Sequence, residues 1–532
     1  VGRAKTTHPD RTTTPTSAAP ADPELHAGSD FLHLDIADAP RGGRAAWLAD
    51  RLRVAIADGR VAAGTRLPAT RVLAGDLGVS RGVVTEAYQR LVEEGRITGR
   101  GRAGTVVVAA GAPTAPPAAP NTLPAPATLF PPVPGSDIFD AVRTAPARID
   151  LTPGVPDLAA FPRTDWLRAE RTVLRQLSAA DFGYGDPRGA PALRRAVAAW
   201  LARSRGITVD PTDVLITAGV SQALGLLAQA LRADGIDRVA VEEPGSLGVR
   251  QHLNNWGMIT PPVTVDAAGL RVDELAASGA PAVMLTPAHQ FPTGVVLDGE
   301  RRRQVAAWAR AGGLVIEDDY DAEHRYDRPP VPALRALLPE QVCYAGSVSK
   351  LLAPALRVGW LLVPGRYRSA VVAAKRNADL GTSVLPQLVL AELMTSGALE
   401  RQMRLLRRRH VRRRDAMVAA LAAHLPEAVV HGAAAGLHLT VTLPGDAPDT
   451  AVAAGALERG VKVQPLTWHC QRPHRPGLVL GYAASTVTDI DEGVATIAAV
   501  LRRLRSPHTD RAASARSLTQ GCRAETPASR SR

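Results

Sequence analysis

Residues 111–147 include the stretch GAPTAPPAAPNTLPAPATLFPPVP, which limits the possible folds more than any other segment. Proline fixes φ and carries no N–H, so neither a helix nor a sheet ladder runs through so many of them. A chain interrupted in this way builds separate cores on either side. Its length, 532 residues, favours the same division. As flexible coil, about 37 residues span roughly 35 Å, and more if extended like polyproline, so the stretch reads as a semi-stiff linker. Before it, residues 31–110 are compact and periodic; after it, residues 148–505 alternate strand-like apolar runs with helical patterns, as an α/β domain does. Residues 1–30 and 506–532 read as polar, disordered tails.

The formal charge is +12, which favours a polyanionic partner because Arg and Lys release condensed counterions from phosphates. Basic tails contribute to the same total. Cys343, Cys470 and Cys522 are far apart, which argues against a disulfide framework or a zinc site, and no metal is expected. The first residues lack the apolar run of a secretory signal, and no apolar stretch reaches membrane-spanning length. The expected setting is cytoplasmic.

In the first half, RAAWLADRLRVAIAD (44–58) places Trp47, Leu48, Leu52 and Ile56 on one helical face. Next comes a short helix from Pro68 that buries Leu73, Leu77 and Val79. Gly78 suits a tight turn, and Ser80 suits the N-cap of a helix that buries Val83, Val84, Ala87 and Leu91. Helix, glycine turn and helix is the arrangement that carries a second helix into the DNA major groove. RITGRGRAGTVVVAA then offers two short strands around an Arg/Gly-rich tip, a wing.

The segments LPATR, LGVSRGVVTEAY and GRAGTVV resemble, in order, the GntR-type winged helix-turn-helix. That resemblance implies operator contacts by Arg71 and Arg81, with Ser80 and Thr85 along the recognition helix. Arg100, Arg102 and Gly104 would form the wing, at the minor groove or the backbone. Arginine serves either task, being bidentate to guanine and attracted to a narrow minor groove.

In the second half, GSVSKLLAPALRVGW (346–360) follows a strand-like VCYAG. Pyridoxal phosphate chemistry needs an amine for the aldehyde, with hydroxyls and an arginine for the phosphate. Lys350 supplies the amine, Ser347 and Ser349 the hydroxyls, and Arg357 the guanidinium. LVIEDDYDAEHRY (314–326) is an apolar strand ending in carboxylates, at the sheet edge where α/β ligands bind. Asp318, with Asp319 as second choice, suits the pyridine nitrogen, and Tyr320 the ring's 3'-oxygen. A metal-binding or helix-start acidic cluster is the other reading. VLITAGVSQALGLLAQAL (214–231) is strand, turn and helix, and the helix start at Val220, Ser221 and Gln222 offers backbone N–H groups to the phosphate.

FGYGDPRGAPALRRAV, TAGVSQAL, VEEPG, TPAHQFPTG, IEDDYDAEHRYDRPP and GSVSKLLAPALRVGW together resemble the fold-type I aminotransferases. Joined to the winged helix, they resemble in particular the MocR-type regulators. The implied architecture is α/β: a large mixed sheet domain and a small C-terminal α/β domain. The resemblance implies that Tyr184 reaches the phosphate of a neighbouring subunit, hence a homodimer. It places His289 and Gln290 in the loop facing the cofactor, although Gln290 reads equally well as a satisfied loop residue. RRRHVRRRDAM belongs to the same resemblance, and the basic run RQMRLLRRRHVRRR (401–414), where the family carries a similar helix, reads as a solvated helix with Met403, Leu406 and His410 on one face, or as a DNA patch.

Two departures bear on activity. Ser246 stands after VEEPG where the family carries a ring-stacking tyrosine, and Val479 stands where amino-acid-binding relatives carry a carboxylate-binding arginine. Arg472 and Arg475 are candidate substitutes. The expected function is a pyridoxal-phosphate-dependent transcription regulator that binds operator DNA and senses the cofactor, an amine or an amino acid. The alternative is a working aminotransferase with an accessory DNA-binding domain.

Overall fold

The computed structural model describes residues 34, 36–40, 42–58, 60–99, 104–108, 126–326 and 331–505. It divides into two units, Val1–Thr122 and Leu123–Arg532. The two tails, the wing tip at 100–103 and residues 109–125 lie outside the described residues.

In the first unit, helix Arg44–Ala57 packs on helix Arg81–Glu93, burying Leu48, Leu52, Val84, Ala87 and Leu91. Truncating one such leucine to alanine costs about 2–5 kcal/mol. Helix Thr70–Asp76 precedes the turn, where Gly78 has φ +62, a left-handed backbone that glycine adopts without a Cβ penalty. Ser80 stands at the N-cap, but its hydroxyl makes no capping bond. Tyr88 is buried and donates to Pro68 O at 2.9 Å, a tie the apolar pattern alone does not reveal. Strands Ile97–Gly99 and Thr105–Val107 pair antiparallel, and Arg66–Leu67 adds a third strand beside the latter. This is a winged helix.

The second unit is built on an eight-stranded sheet. In spatial order its strands are Leu215–Thr217, Gly359–Leu362, Val342–Ser347, Leu314–Asp319, Ala282–Leu285, Val239–Glu243, Pro262–Asp266 and Gly269–Leu270. The five from Val342–Ser347 to Pro262–Asp266 run parallel; Gly359–Leu362 and Gly269–Leu270 run opposite to them, and Leu215–Thr217, antiparallel to Gly359–Leu362, runs with the five. Helices cover both faces, so Leu314–Asp319 and Val342–Ser347 are buried at every position. A smaller antiparallel sheet has the order Val429–His431, His438–Thr442, Gly477–Gly481 and Gln464–Pro465. The helix Ala398–His424 packs on the C-terminal helix Val487–Arg505.

The spacer expected to reach residue 147 ends earlier. Residues 126–147 belong to the second unit: Phe130 stacks on Trp468 at 5.4 Å, and helix Ile138–Thr144 buries Ile138 and Val142 in the same core. Their apolar side chains find a surface that the proline content hides.

Candidate functional site

Parallel pairing of Leu314–Asp319 with Val342–Ser347 sets Asp318 opposite Ala345 and Asp319 opposite Gly346. Both strands therefore finish at one end of the sheet. Asp318, Tyr320 and the turn bearing Lys350 gather there, with the loop after Ala282–Leu285 alongside.

The Lys350 amine donates to the carbonyl of Gly154. Burial lowers its pKa, opposed by the charges of Asp318 and Asp321. A desolvated lysine loses its proton more readily and becomes a better nucleophile. Burial likewise pushes the Asp318 carboxyl up to about 7, helped by Asp319 and Asp321 and opposed by Lys350. Its Oδ1 is buried without a partner, so an acceptor is left for a cationic N–H. Asp319 is committed elsewhere: Arg205 donates to it at 2.5 Å and Tyr344 at 2.6 Å. Geometry thus separates the two adjacent aspartates.

At the other end of the site lies the start of helix Val220–Ala233, whose first N–H groups have no intrahelical acceptors. Arg357 donates to Ala218 O there, and its guanidinium lies 3.4 Å from where a Gly219 Cβ would stand. Ser347 is buried, Ser349 half-buried with its N–H 3.4 Å from the Ser347 hydroxyl, and Ser221 is exposed. Gln222 folds back: its Oε1 accepts from Ala218 N at 2.8 Å and its amide donates to Asp379 at 2.7 Å. Only its backbone remains for an anion. An amine, an unpaired carboxylate and an anion-binding helix end with an arginine are the groups a phosphorylated pyridine aldehyde requires, so the residues fit it.

His289 is 1% exposed; its Nδ1 lies 2.9 Å from Asp321 Oδ2 and 3.1 Å from the Tyr320 hydroxyl, and its Nε2 has no partner. Burial holds the Tyr320 phenol well above its usual range. His438 stands 5.2 Å away, ring to ring, with Nε2 3.1 Å from Pro292 O; burial pushes its pKa down to about 3, helped by His289. His289, Asp321 and His438 bring ligand-type atoms within 4.8 Å of one another. Of the three, His289 and Asp321 are hydrogen-bonded to each other and His289 also meets the Tyr320 hydroxyl, whereas His438 bonds Pro292 O. The carboxamide of Gln290 is fully used, donating to Pro244 O and Phe291 O and accepting from Thr293. That makes it a loop residue. Tyr184 is 94% exposed.

Ser246 caps helix Leu247–Asn255, its hydroxyl accepting from Val249 N. Val479 is fully buried between Thr440 and Gln464. Arg472 turns to the large sheet, donating to Thr264 at 2.8 Å and Pro262 O at 3.1 Å, and Arg475 is exposed. Neither takes the place an arginine at 479 would hold.

In the winged helix, Arg71, Ser80, Arg81 and Thr85 are all exposed. Arg81 Nε lies 3.3 Å from Thr70 Oγ1, joining the starts of the two helices, and Thr85 donates to Arg81 O. Gly104 has φ +83, and the Arg66 side chain lies 2.6 Å from where its Cβ would be. Arg66 was not singled out in the sequence, since it precedes the LPATR segment. Arg100 and Arg102 lie outside the described residues. Asp321, His438 and Arg205 were missed as well; their partners lie 32 to 146 residues away, and no local pattern carries such pairings.

A mostly parallel sheet with a lysine at its carboxyl end and a small antiparallel sheet beyond defines the second unit as an aminotransferase-type domain. The family "Aminotransferase class I and II" matches residues 147–497, and "Bacterial regulatory proteins, gntR family" matches residues 45–107. The chain belongs to the MocR-type branch of the GntR family, transcriptional regulators that join these two domains. It is 31% identical to the probable rhizopine catabolism regulatory protein MocR of Rhizobium meliloti, over 86% of this chain and 94% of that one. It is 32% identical to the pyridoxine biosynthesis transcriptional regulator PdxR of Corynebacterium glutamicum, over 79% and 87%. The crystal structure of Pyrococcus horikoshii kynurenine aminotransferase in complex with PMP matches with a TM-score of 0.63 and 27% identity, over 69% of this chain and 93% of that one. No helix among the described residues is long and apolar enough to cross a membrane.

Proposed function

We propose that this regulator holds pyridoxal 5'-phosphate on Lys350 and alters its hold on operator DNA when the cofactor, or an amine or amino acid reacting with it, arrives. The observation that carries this reading is a half-buried, desolvated Lys350 amine close to the unpartnered Asp318 Oδ1. When bound, the cofactor supplies an aldehyde and an electron-withdrawing ring. Lys350 supplies the nucleophile, Asp318 receives the ring nitrogen, and Tyr320, held by His289, meets the 3'-oxygen. Arg357, Ser347, Ser349 and the N–H groups of Val220, Ser221 and Gln222 grip the phosphate.

Tyr184, exposed in one chain, is assigned to a second copy's phosphate in a cytoplasmic homodimer. Arg71, Ser80, Arg81 and Thr85, with Arg100, Arg102 and Gly104 of the wing, are assigned to DNA. Residues 1–30, 31–110 and 506–532 are assigned as tail, DNA-binding domain and tail, with the effector domain between. Regulation then requires the effector to bind two arrangements of the dimer with different affinity, and a coupling of about 1–3 kcal/mol suffices.

The test is a titration of operator binding with and without pyridoxal phosphate and a panel of amines. A shift in affinity without turnover supports the regulator. Steady exchange of amino groups between an amino acid and a keto acid supports the alternative, a working aminotransferase; Val479 in place of a cation weighs against it. Mixed dimers of Lys350→Ala and Tyr184→Phe subunits should regain one whole site each if the sites are shared.

A further inference from the structure

Between residues 401 and 414 the chain carries eight arginines and no carboxylate. The helix Ala398–His424 sorts them. Arg409 and Arg413 turn inward to the buried Asp157, at 2.6 and 2.7 Å. Arg414 lies over the Tyr326 ring and pairs with Asp415, and Arg407 donates to Tyr326 O. Arg401 reaches Ser396 O. Arg404, Arg408 and Arg412 remain, exposed and without hydrogen-bond or acidic partners among the described residues. The flanking acids are taken, Glu400 by Arg203 and Asp415 by Arg414. Spaced i, i+4 and i+8, the three share one face and follow one another at about 6 Å along the axis.

A solvated helix usually alternates its charges or keeps acids within reach. Here the two acids at that spacing, Glu400 and Asp415, are each engaged by another arginine. Its occupant must be a polyanion with charges repeated along a line, and duplex DNA, with one phosphate charge per about 1.7 Å of axis, is such a surface.

We infer that Arg404, Arg408 and Arg412 form a second, sequence-independent DNA contact that holds backbone phosphates. The inference rests on the DNA-binding reading above. The helix also carries His410 and Arg413 into the interior, beside His324 and Asp157, so the inward and outward faces are chemically distinct.

The experiment measures affinity of the full chain for a duplex it selects from a random pool, and for a scrambled duplex, between about 50 and 200 mM salt. Arg404→Gln/Arg408→Gln/Arg412→Gln should lower the slope of log K against log salt by between about 1 and 3, since each lost phosphate contact removes about 0.9. The ratio of selected to scrambled affinity should stay as in the parent. Replacing the same three by lysine should keep the slope, which separates lost charge from lost fold. An unchanged slope in the glutamine variant overturns the inference, as does a drop in sedimentation coefficient showing that the face joins two chains. If the parent selects no sequence, the regulator reading fails, while the slope on the scrambled duplex still decides the arginines.

Discussion

Arg205 and Asp319 meet at 2.5 Å in an ion pair whose side chains are each 1% exposed. Asp318, one residue earlier, leaves the strand on the opposite face, because side chains alternate. One carboxylate is thereby spent on the fold and the other released to the pocket. Asp319→Asn or Arg205→Met alone should cost about 3–5 kcal/mol, since a buried charge loses its counter-charge. Asp318→Asn should not lower the denaturation midpoint below that of the parent, yet should fail to retain the cofactor through gel filtration.

The raised pKa of Asp318 gives the cofactor-free protein a signed pH dependence. Its folded value, about 7, lies above the unfolded 3.8, so the folded state holds the proton longer. Stability from this group is fully present below 3.8 and is lost as pH rises through about 7. His410 and His438, pushed down to about 2 and about 3 by burial, act oppositely, their share being lost as pH falls. The readout is therefore a difference. The melting temperature of Asp318→Asn should rise relative to the parent between pH 4 and 7 (roughly, the interval between the two values), and a constant gap would contradict the assignment.

Lys350→Ala should abolish the borohydride-reducible adduct with pyridoxal phosphate and leave DNA affinity measurable. An adduct persisting in that variant, located by peptide mapping, would move the site to another amine.

Arg81→Ala should weaken binding to the selected operator by about 1–3 kcal/mol and affect a scrambled duplex far less, if the guanidinium reads a base edge. Equal losses on both would make Arg81 a phosphate contact.

How much of this can be read from the sequence depends on distance along the chain. Lys350 and Arg357 lie seven residues apart in one motif, and the helix-turn-helix occupies consecutive segments, so both are legible. Asp318 was preferable to Asp319 on motif grounds, but the decisive reason, Arg205, lies 114 residues away. Asp321 sits in the same acidic run and was passed over because its partner, His289, is 32 residues off. Residues 126–147 misled because proline reports the backbone's inability to form ladders and says nothing of where Phe130 finds its ring partner.

The carbonyl that accepts from Lys350 belongs to Gly154. From there the chain runs back through strand Ile149–Asp150 and helix Ile138–Thr144 to the stretch that leads into the winged helix. Any carbonyl compound captured by the Lys350 nitrogen converts its three donors into fewer, and Gly154 competes for what is left. Chemistry at that one side-chain atom thus reaches the backbone at Gly154, at the start of the same unit's chain.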